Sequence, residues 1–301
     1  MNKKIYITLT SYPERISTVH VTIESLINQN MSCEGVLLWL ADTQFPGKEK
    51  DLPENLKKFI PFGLIIEWCK DLRSYKKIIF ALEKYDNALL VSADDDLIYP
   101  SDWLERLING YKNNPNCLNA LRCHRIVLNH EHSDIEKYKN WMHEIENAEP
   151  SILNFCTSGG GVVYSKELLD SMYNREDIFL NLCFDADDIW LWAMAVKKGT
   201  LINLVKPSLG ELVYVKESQV GENVLWKKNI KLGFNDIRLR SIFKYFPDIH
   251  KRIIEALISE SDYKVINYWT CFKLKVIKVL VKKTGETETR FYYNRSLIFK
   301  I

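Results

Sequence analysis

The chain is organised around the run Ala88-Leu89-Leu90-Val91-Ser92-Ala93-Asp94-Asp95-Asp96, in which an apolar stretch ends in three consecutive carboxylates. The apolar stretch predicts a buried strand, and the carboxylates then lie at its carboxyl end, where open α/β sheets bind their ligands. Adjacent carboxylates repel one another unless water or a cation screens them. Asp94 and Asp96 are two residues apart, so extended backbone places both on one side, where they suit one hard divalent ion.

A solvated acidic turn or a helix N-cap is the alternative interpretation of these carboxylates. Apolar character resumes at once in Leu97-Ile98-Tyr99-Pro100, and Ser101-Asp102 already offers caps for the next helix. A ligand-binding edge is therefore favoured over a turn.

Apolar strands alternate with amphipathic helices along the first half of the chain. Strands are predicted at 5–9, 36–40, 64–68, 88–91, 118–123 and 162–164, and helices at 16–27, 54–59, 74–85, 102–111 and 185–198. This alternation predicts an α/β fold with a mostly parallel sheet covered by helices on both faces. We expect one domain over 1–240 and a helical, basic extension over 241–301.

Composition excludes several classes of protein. A chain of 301 residues that is 47% hydrophobic buries a large core, and a net charge of +2 gives no bulk attraction to nucleic acid. The seven cysteines are scattered without a Cys-x-x-Cys pair, which is typical of reduced thiols rather than of disulfides or a zinc site. No apolar run approaches the roughly 18 residues of a membrane-spanning helix. We therefore expect a cytoplasmic protein.

The tail differs in charge from the rest of the chain. From Ser261 onward it carries nine Lys or Arg against three Asp or Glu. Between 268 and 283, lysines interleave with Trp269, Phe272 and aliphatic residues, which is typical of an interfacial helix on anionic lipid. A packed C-terminal helix with a basic solvated face stays open as the alternative. The first interpretation predicts a peripheral position on the inner face of the plasma membrane.

Four motifs in order carry a resemblance to a known family. They are the loop 10–15 (Thr-Ser-Tyr-Pro-Glu-Arg), the helix segment 23–29 (Ile-Glu-Ser-Leu-Ile-Asn-Gln), the acidic motif 94–100 with its trailing Pro, and 187–190 (Asp-Asp-Ile-Trp). In this the chain resembles the nucleotide-sugar glycosyltransferases of the Rossmann-like GT-A fold, and the family 2 type in particular. The similarity covers about residues 4–199.

The chain departs from the family pattern at two places. Only Asp42, preceded by Ala41, stands where the family usually has an Asp pair after the second strand. Ala93 stands where the first Asp of the family's Asp-x-Asp is common, so which carboxylates of 94–96 hold the metal stays open.

The resemblance implies a metal-dependent hexosyltransferase. It implies transfer of a hexose from a nucleotide-diphosphate sugar, with a UDP-sugar as the expected donor, to a hydroxyl of a growing surface glycan or lipid-linked glycan, with inversion. Bound Mn²⁺ or Mg²⁺ offsets the charge that develops on the leaving diphosphate. Two alternatives are a catalytically silent sugar-binding protein of the same fold and a nucleotidyltransferase. The latter usually has a Gly-rich first loop, and 8–15 contains no glycine.

Roles follow for individual residues. The metal is assigned to Asp94 and Asp96, the catalytic base to Asp188, and orientation of acceptor hydroxyls to its neighbour Asp187. The alternative is that Asp185 and Asp187 cap the helix that starts there. The residues expected at the nucleotide-sugar are Thr10, Tyr12, Arg15, Asp42, Asp71, Lys77, Asp94 and Asp95.

The acceptor site is expected to contain glycines and tryptophans. Glycine permits close approach of a ligand to the backbone, and a Trp face stacks on a sugar ring. The residues expected there are Gly160, Gly161, Trp190 and Trp226. A sheet-edge bulge is the alternative role for the glycines.

Lys77, which is expected at the nucleotide-sugar, has the alternative role of a solvated lysine on the surface of a helix.

Overall fold

The computed structural model describes residues 3–129, 131, 133–216, 218 and 233–260, together with four strands between 263 and 300. Within these ranges the main sheet has seven strands in the order β3-β2-β1-β4-β8-β5-β9. The strands are β1 (Lys4–Thr10), β2 (Gly35–Ala41), β3 (Leu64–Cys69), β4 (Ala88–Ser92), β5 (Cys117–Ala120), β8 (Val162–Tyr164) and β9 (Leu201–Leu204). Between them β6 (Cys123–Arg125) and β7 (Asn154–Cys156) form a separate antiparallel pair.

The predicted α/β class and mostly parallel sheet are confirmed. Strands β1 to β4 pair in parallel, β5 and β9 pair in parallel, and β8 runs antiparallel between β4 and β5. The carboxyl ends of β1 to β4 therefore meet at one edge, and β8 brings the loop before it to the same edge.

Helices cover both faces of this sheet. They are α1 (Val19–Ile27), α2 (Glu54–Lys57), α3 (Lys76–Lys84), α4 (Trp103–Asn113), α5 (Glu176–Cys183), α6 (Asp187–Lys198), α7 (Phe234–Tyr245) and α8 (Pro247–Glu260). Side chains alternate along β1, so Ile7 and Leu9 join the core under α1 and α4 while Tyr6 joins the core under α3 and α6. None of the helices described is long and apolar enough to cross a membrane.

The two halves of the 118–123 prediction belong to different sheets. β5 ends at Ala120, and β6 begins at Cys123 in the small antiparallel pair. The residues between them include Arg122, whose guanidinium donates to Thr157 Oγ1 over 2.9 Å. The chain therefore turns at Arg122 towards the sheet edge that carries the acidic motif.

The predicted interfacial helix at 268–283 is wrong. The structure has strands there, β10 (Tyr263–Cys271) and β11 (Leu274–Val281), which continue into β12 (Thr287–Tyr293) and β13 (Ser296–Lys300) as one antiparallel sheet. The segment 274–281 contains three Val and one Ile, and such β-branched residues favour strands over helices. β10 and β11 pair antiparallel, with Cys271 as the register partner of Leu274.

The predicted boundary at residue 240 lies inside α7. Leu239 and Ile242, on either side of it, are both buried in the core that also holds Trp190. The helical part of the expected extension, α7 and α8, thus packs with the first 200 residues. The division of the chain into two units stays a prediction, and 263–300 forms a sheet that shares no strand with the main one.

Candidate active site

The acidic motif leaves β4 at the predicted sheet edge. The Ala93 N–H donates to the Thr8 carbonyl over 3.0 Å, which extends the β1–β4 pairing by one residue before the chain turns. The Asp94 N–H then donates to Tyr99 Oη over 2.8 Å. Asp95 and Asp96 are buried, while the Asp94 side chain is 35% exposed. The three neighbouring carboxylates therefore have three different environments.

Asp95 is held by the loop 10–15. Its carboxylate lies 2.7 Å from Arg15 Nη1 and accepts a 2.6 Å hydrogen bond from Ser11 Oγ. Its carbonyl accepts from Thr22 Oγ1 over 3.1 Å. Burial raises the pKa of Asp95 even though Arg15 and Ser11 oppose the shift. The Asp95 side chain thus fastens the first motif to the acidic motif.

Asp96 pairs with the same guanidinium as Asp95. It shares Arg15 Nη1, at 3.0 Å, with Asp95. Burial, with the neighbouring charge of Asp94, raises the pKa of Asp96 to about 6. The site therefore disfavours the ionised form of Asp96 in the absence of a further cation.

Lys77 joins the acidic motif to the start of α6. Its Nζ lies 2.8 Å from Asp94 Oδ1 and 3.0 Å from Asp187 Oδ2, and the side chain is only 6% exposed. Burial alone would lower the pKa of Lys77, but Asp187, Asp94 and Asp188 raise it well above its ordinary value. Although it is close to Lys77, the buried Asp187 Oδ2 makes no hydrogen bond to any described residue. One ammonium thus neutralises carboxylates of both acidic motifs.

Asp188 is held from a different side. The Ser158 N–H and Oγ both donate to Asp188 Oδ1, over 3.0 and 2.5 Å. Burial, followed by the charge of Asp187, raises the pKa of Asp188 to about 7. A carboxylate with a pKa near neutrality is tuned for general base catalysis.

The loop before β8 brings the two acidic motifs together. A Cβ at Gly159 would lie 3.2 Å from Asp94 Oδ2, and the Gly159 carbonyl accepts from Tyr99 Oη over 3.3 Å. Ser158, one residue earlier, holds Asp188. This short loop therefore contacts both the acidic motif of β4 and the proposed base.

The two glycines expected at the acceptor have packing roles. A Cβ at Gly160 would meet Arg122 Cβ at 2.3 Å, and one at Gly161 would meet Trp103 Cζ2 at 2.6 Å. Gly161 also has φ +92°, in the region that glycine tolerates best. The close approach that these glycines permit is thus to protein side chains.

The tryptophans expected at the acceptor have different outcomes. Trp190 is fully buried, and its Nε1 donates to the Tyr173 carbonyl over 2.7 Å. It packs in the core of α6 and does not face solvent, so its assignment to the acceptor is not supported by its position. Trp226 lies outside the described residues.

A second polar cluster lies at the carboxyl ends of β2 and β3. Asp71 Oδ1 accepts from Lys76 Nζ and from the Arg73 N–H, over 2.9 and 2.8 Å, and Asp71 Oδ2 accepts from Gln44 Nε2 over 3.2 Å. Burial alone would raise the pKa of Asp71, but its contacts with Lys76 and Arg73 lower it below its ordinary value. Asp42 nearby pairs with Lys48. Asp42 follows β2 and Asp71 follows β3, so both lie at the same edge as Asp94.

Thr10 and Tyr12 are in the loop after β1. Thr10 Oγ1 donates to the Trp39 carbonyl over 2.7 Å, which ties the end of β1 to β2. Tyr12 is 38% exposed, and the Arg15 guanidinium carbon lies 5.6 Å from the centre of its ring. Of the two, Tyr12 presents the larger free surface at the edge.

The carboxylates fit a hard divalent cation in charge and donor type. Two basic side chains, Arg15 and Lys77, form ion pairs with four of the five carboxylates of 94–96 and 187–188, namely Asp94, Asp95, Asp96 and Asp187. Among the described residues no group of three His, Cys, Asp or Glu is arranged around a metal position. Mg²⁺ commonly takes one or two protein carboxylates and completes its shell with water and substrate phosphates. Asp94 and Asp96 match that partial ligand set.

Sequence reasoning missed Ser158 and Arg122. Arg122 pairs with Glu144 over 2.6 Å, and Glu144 has a left-handed backbone at φ +51°. The sequence did contain a signal for Ser158, because this residue directly precedes three consecutive glycines, Gly159 to Gly161. No local pattern connects Arg122 with Glu144, because the irregular segment between them sets their distance.

Comparison with known proteins gives structural similarity only. No protein-family model and no curated protein matches the chain. Among solved structures it is similar to the mannosyltransferase PcManGT from Pyrobaculum calidifontis in complex with GDP-Man and Mn2+, with a TM-score of 0.46 and 12% identity over 86% of this chain and 75% of that one. It is also similar to S. aureus TarS 1–349, with a TM-score of 0.45 and 11% identity over 86% of this chain and 72% of that one.

Proposed function

We propose that the protein is a metal-dependent glycosyltransferase that moves a hexose from a nucleotide-diphosphate sugar to a hydroxyl group, with inversion. The observation that carries the proposal is the convergence of Asp94 and Asp188 at one sheet edge. These two carboxylates are connected by Lys77, which pairs with Asp94 and Asp187, and by the loop of Ser158 and Gly159. Asp94 suits the diphosphate side of a donor, and Asp188 suits a catalytic base.

The donor lies along the carboxyl ends of β1 to β4 in this proposal. Asp42 and Asp71 contact the nucleoside, with a UDP-sugar as the expected donor, and Tyr12 and Arg15 line the approach. Asp94 and Asp96 hold a Mn²⁺ or Mg²⁺ ion, which when bound stabilises the negative charge on the departing diphosphate.

Asp188 removes the proton from the attacking hydroxyl. Ser158 fixes its Oδ1, so the carboxylate keeps one orientation while the other oxygen accepts the proton. Asp187 is held by Lys77 on the donor side, which leaves Asp188 the better candidate of the pair. Arg122 and Glu144 lie beside the same loop and bind hydroxyls of the acceptor glycan.

A panel of nucleotide sugars tests this function. The purified chain is incubated with Mn²⁺ and UDP-, GDP-, ADP- and dTDP-hexoses, and release of the nucleoside diphosphate is measured. Hydrolysis of one donor class supports a glycosyltransferase. Binding without turnover, even with glycan acceptors present, indicates the silent sugar-binding alternative. Release of pyrophosphate from a nucleoside triphosphate and a sugar phosphate indicates a nucleotidyltransferase.

The acceptor is proposed to be a growing surface glycan, either free or lipid-linked. Lysines 275 and 278 lie on β11, and contact with an anionic membrane surface through 268–283 is proposed for these strands. Each lysine near such a surface contributes about 1 kcal/mol. The full-length chain is expected to sediment with anionic vesicles at low salt, and the Lys275→Glu/Lys278→Glu variant to stay in the supernatant. Equal sedimentation of both would contradict membrane contact through this segment.

A further inference from the structure

Lys77 occupies an unusual position for a lysine beside a proposed metal site. It is buried, and its ammonium lies within 3.0 Å of carboxylate oxygens from two elements, Asp94 after β4 and Asp187 at the start of α6. Burying an ammonium is costly unless it is paired, and these two carboxylates supply the pairing. The ammonium therefore provides the positive charge that this part of the site needs when no other cation is bound.

Lys77 and a divalent ion would both use the carboxylate of Asp94. A divalent ion on Asp94 and Asp96 would take lone pairs of the carboxylate that Lys77 already binds at Asp94 Oδ1. Two cations on one carboxylate also repel each other strongly where water is scarce. Lys77 is nearly fully enclosed, so it cannot swing into solvent as a surface lysine would.

We propose that Lys77 competes with the divalent cation for Asp94, so that the free protein binds metal weakly. This inference rests on the proposed function, because it takes Asp94 as a metal ligand. The competition makes metal binding depend on the donor, since the diphosphate brings the additional negative charge that allows ammonium and metal ion to lie side by side. Asp187 Oδ2 lies 3.0 Å from Lys77 Nζ and makes no hydrogen bond to any described residue, so it is available to keep Lys77 paired when Asp94 binds the metal ion.

Lys76 is a matched control for Lys77. The two are adjacent and buried, and each pairs with an aspartate at about the same distance, Lys76 with Asp71 at 2.9 Å and Lys77 with Asp94 at 2.8 Å. Lys77 differs in that it also pairs with Asp187. Of Asp71 and Asp94, only Asp94 belongs to the acidic motif. A general effect of removing a buried lysine near the site would appear in both variants.

The test measures Mn²⁺ binding to the nucleotide-free protein, by titration calorimetry and by the electron paramagnetic resonance signal of unbound Mn²⁺. Lys77→Met is expected to bind Mn²⁺ on the order of tenfold more tightly than the wild type. Lys76→Met is expected to match the wild type. Unchanged or weaker binding by Lys77→Met overturns the competition and assigns Lys77 a supporting role for the ligands. Absence of Mn²⁺ binding in wild type and Lys77→Met alike also overturns it.

A double variant separates direct competition from net charge and protects against loss of folding. Lys77→Met alone leaves two carboxylates without their cation, whereas Lys77→Met/Asp187→Asn removes one charge of each sign. Of the two carboxylates that pair with Lys77, only Asp94 remains in the double variant, and it is partly exposed and can be hydrated. If Lys77 blocks Asp94 directly, the double variant still binds Mn²⁺ more tightly than the wild type. If its affinity returns to the wild-type value, the effect was one of charge and the proposal fails.

The experiments distinguish a failure of the proposed glycosyltransferase function from a failure of the proposed competition between Lys77 and the metal ion. A chain that hydrolyses no nucleotide sugar, yet whose Lys77→Met variant gains Mn²⁺ affinity, refutes the glycosyltransferase and retains the competition. A chain that hydrolyses a nucleotide sugar but shows no gain refutes the competition alone.

Discussion

Ser158 donates two hydrogen bonds to one carboxylate oxygen of Asp188, from its backbone N–H over 3.0 Å and from its hydroxyl over 2.5 Å. Both bonds stabilise the ionised carboxylate and oppose the burial that raises its pKa. The serine thus sets both the orientation of the proposed base and the pH range in which that base is deprotonated.

The pH dependence of kcat/KM is predicted to show this group. Asp188 must be deprotonated to accept a proton, and its pKa is raised to about 7, so kcat/KM is expected to rise with pH through about 7. In Ser158→Ala the backbone bond stays and the hydroxyl bond is lost, so the rising limb should move up by on the order of one pH unit. Profiles from pH 5 to 9 measure the shift.

Two further observations make this prediction specific. Ser158→Thr retains a hydroxyl and is expected to restore the wild-type limb. Towards pH 9 the wild type and Ser158→Ala should converge, because Asp188 is then largely ionised in both. A rate lowered equally at every pH would mean that Ser158 acts only on the structure of the loop.

The roles of the two adjacent carboxylates of α6 are separable by substitution. Asp188→Asn keeps volume and hydrogen bonding but cannot accept a proton, so transfer is expected to fall by roughly 10²-fold or more. Binding of the nucleotide, measured by calorimetry, should survive because Asp188 contacts Ser158 and not the donor side. Asp187→Asn removes a partner of Lys77 instead and is expected to change donor binding. An active Asp188→Asn with an inactive Asp187→Asn would show that the base is Asp187.

The sequence predicted the parts of the molecule that depend on local pattern. The β4 strand, the acidic motif after it and the Asp187-Asp188 start of α6 each have a signature within a dozen residues, and the structure has β4 and α6 there. Local pattern does not determine which side chains pair with one another in the folded protein. Lys77 is indistinguishable from Lys76 in sequence, and only the packing of α3 against β4 and α6 gives one lysine Asp94 and the other Asp71.

In the tail, the local sequence pattern led to the wrong secondary structure. Interleaved lysines and apolar residues at 268–283 satisfy a helical and a strand pattern about equally well. Pairing with β12 on one side and β10 on the other resolves the ambiguity for β11, and such partners lie too far along the chain for a local pattern to include. The β-branched content of 274–281 was the signal that favoured strands.

Asp95 is predicted to matter for stability rather than for turnover alone. Asp95→Ala removes the partner of Ser11 and one of the two carboxylates paired with Arg15, which leaves a largely buried guanidinium with Asp96. Breaking a buried pair in this way costs about 3 kcal/mol of unfolding free energy. Urea unfolding followed by fluorescence measures the loss. A variant as stable as the wild type would show that Asp95 does not fasten the 10–15 loop.

Asp96 is predicted to show the reverse behaviour, since its removal leaves Asp95 with both Arg15 and Ser11. Burial and Asp94 raise its pKa to about 6, so at neutral pH its ionisation costs stability that Asp96→Ala recovers, and this offsets the lost contact with Arg15. The variant is therefore expected to unfold within about 1 kcal/mol of the wild type while its turnover with Mn²⁺ is abolished. Removal of the metal from the wild type with EDTA should abolish turnover equally, and added Mn²⁺ should restore it only in the wild type. Full activity in EDTA, or in both Asp94→Ala and Asp96→Ala, would mean that these carboxylates do not hold a catalytic metal.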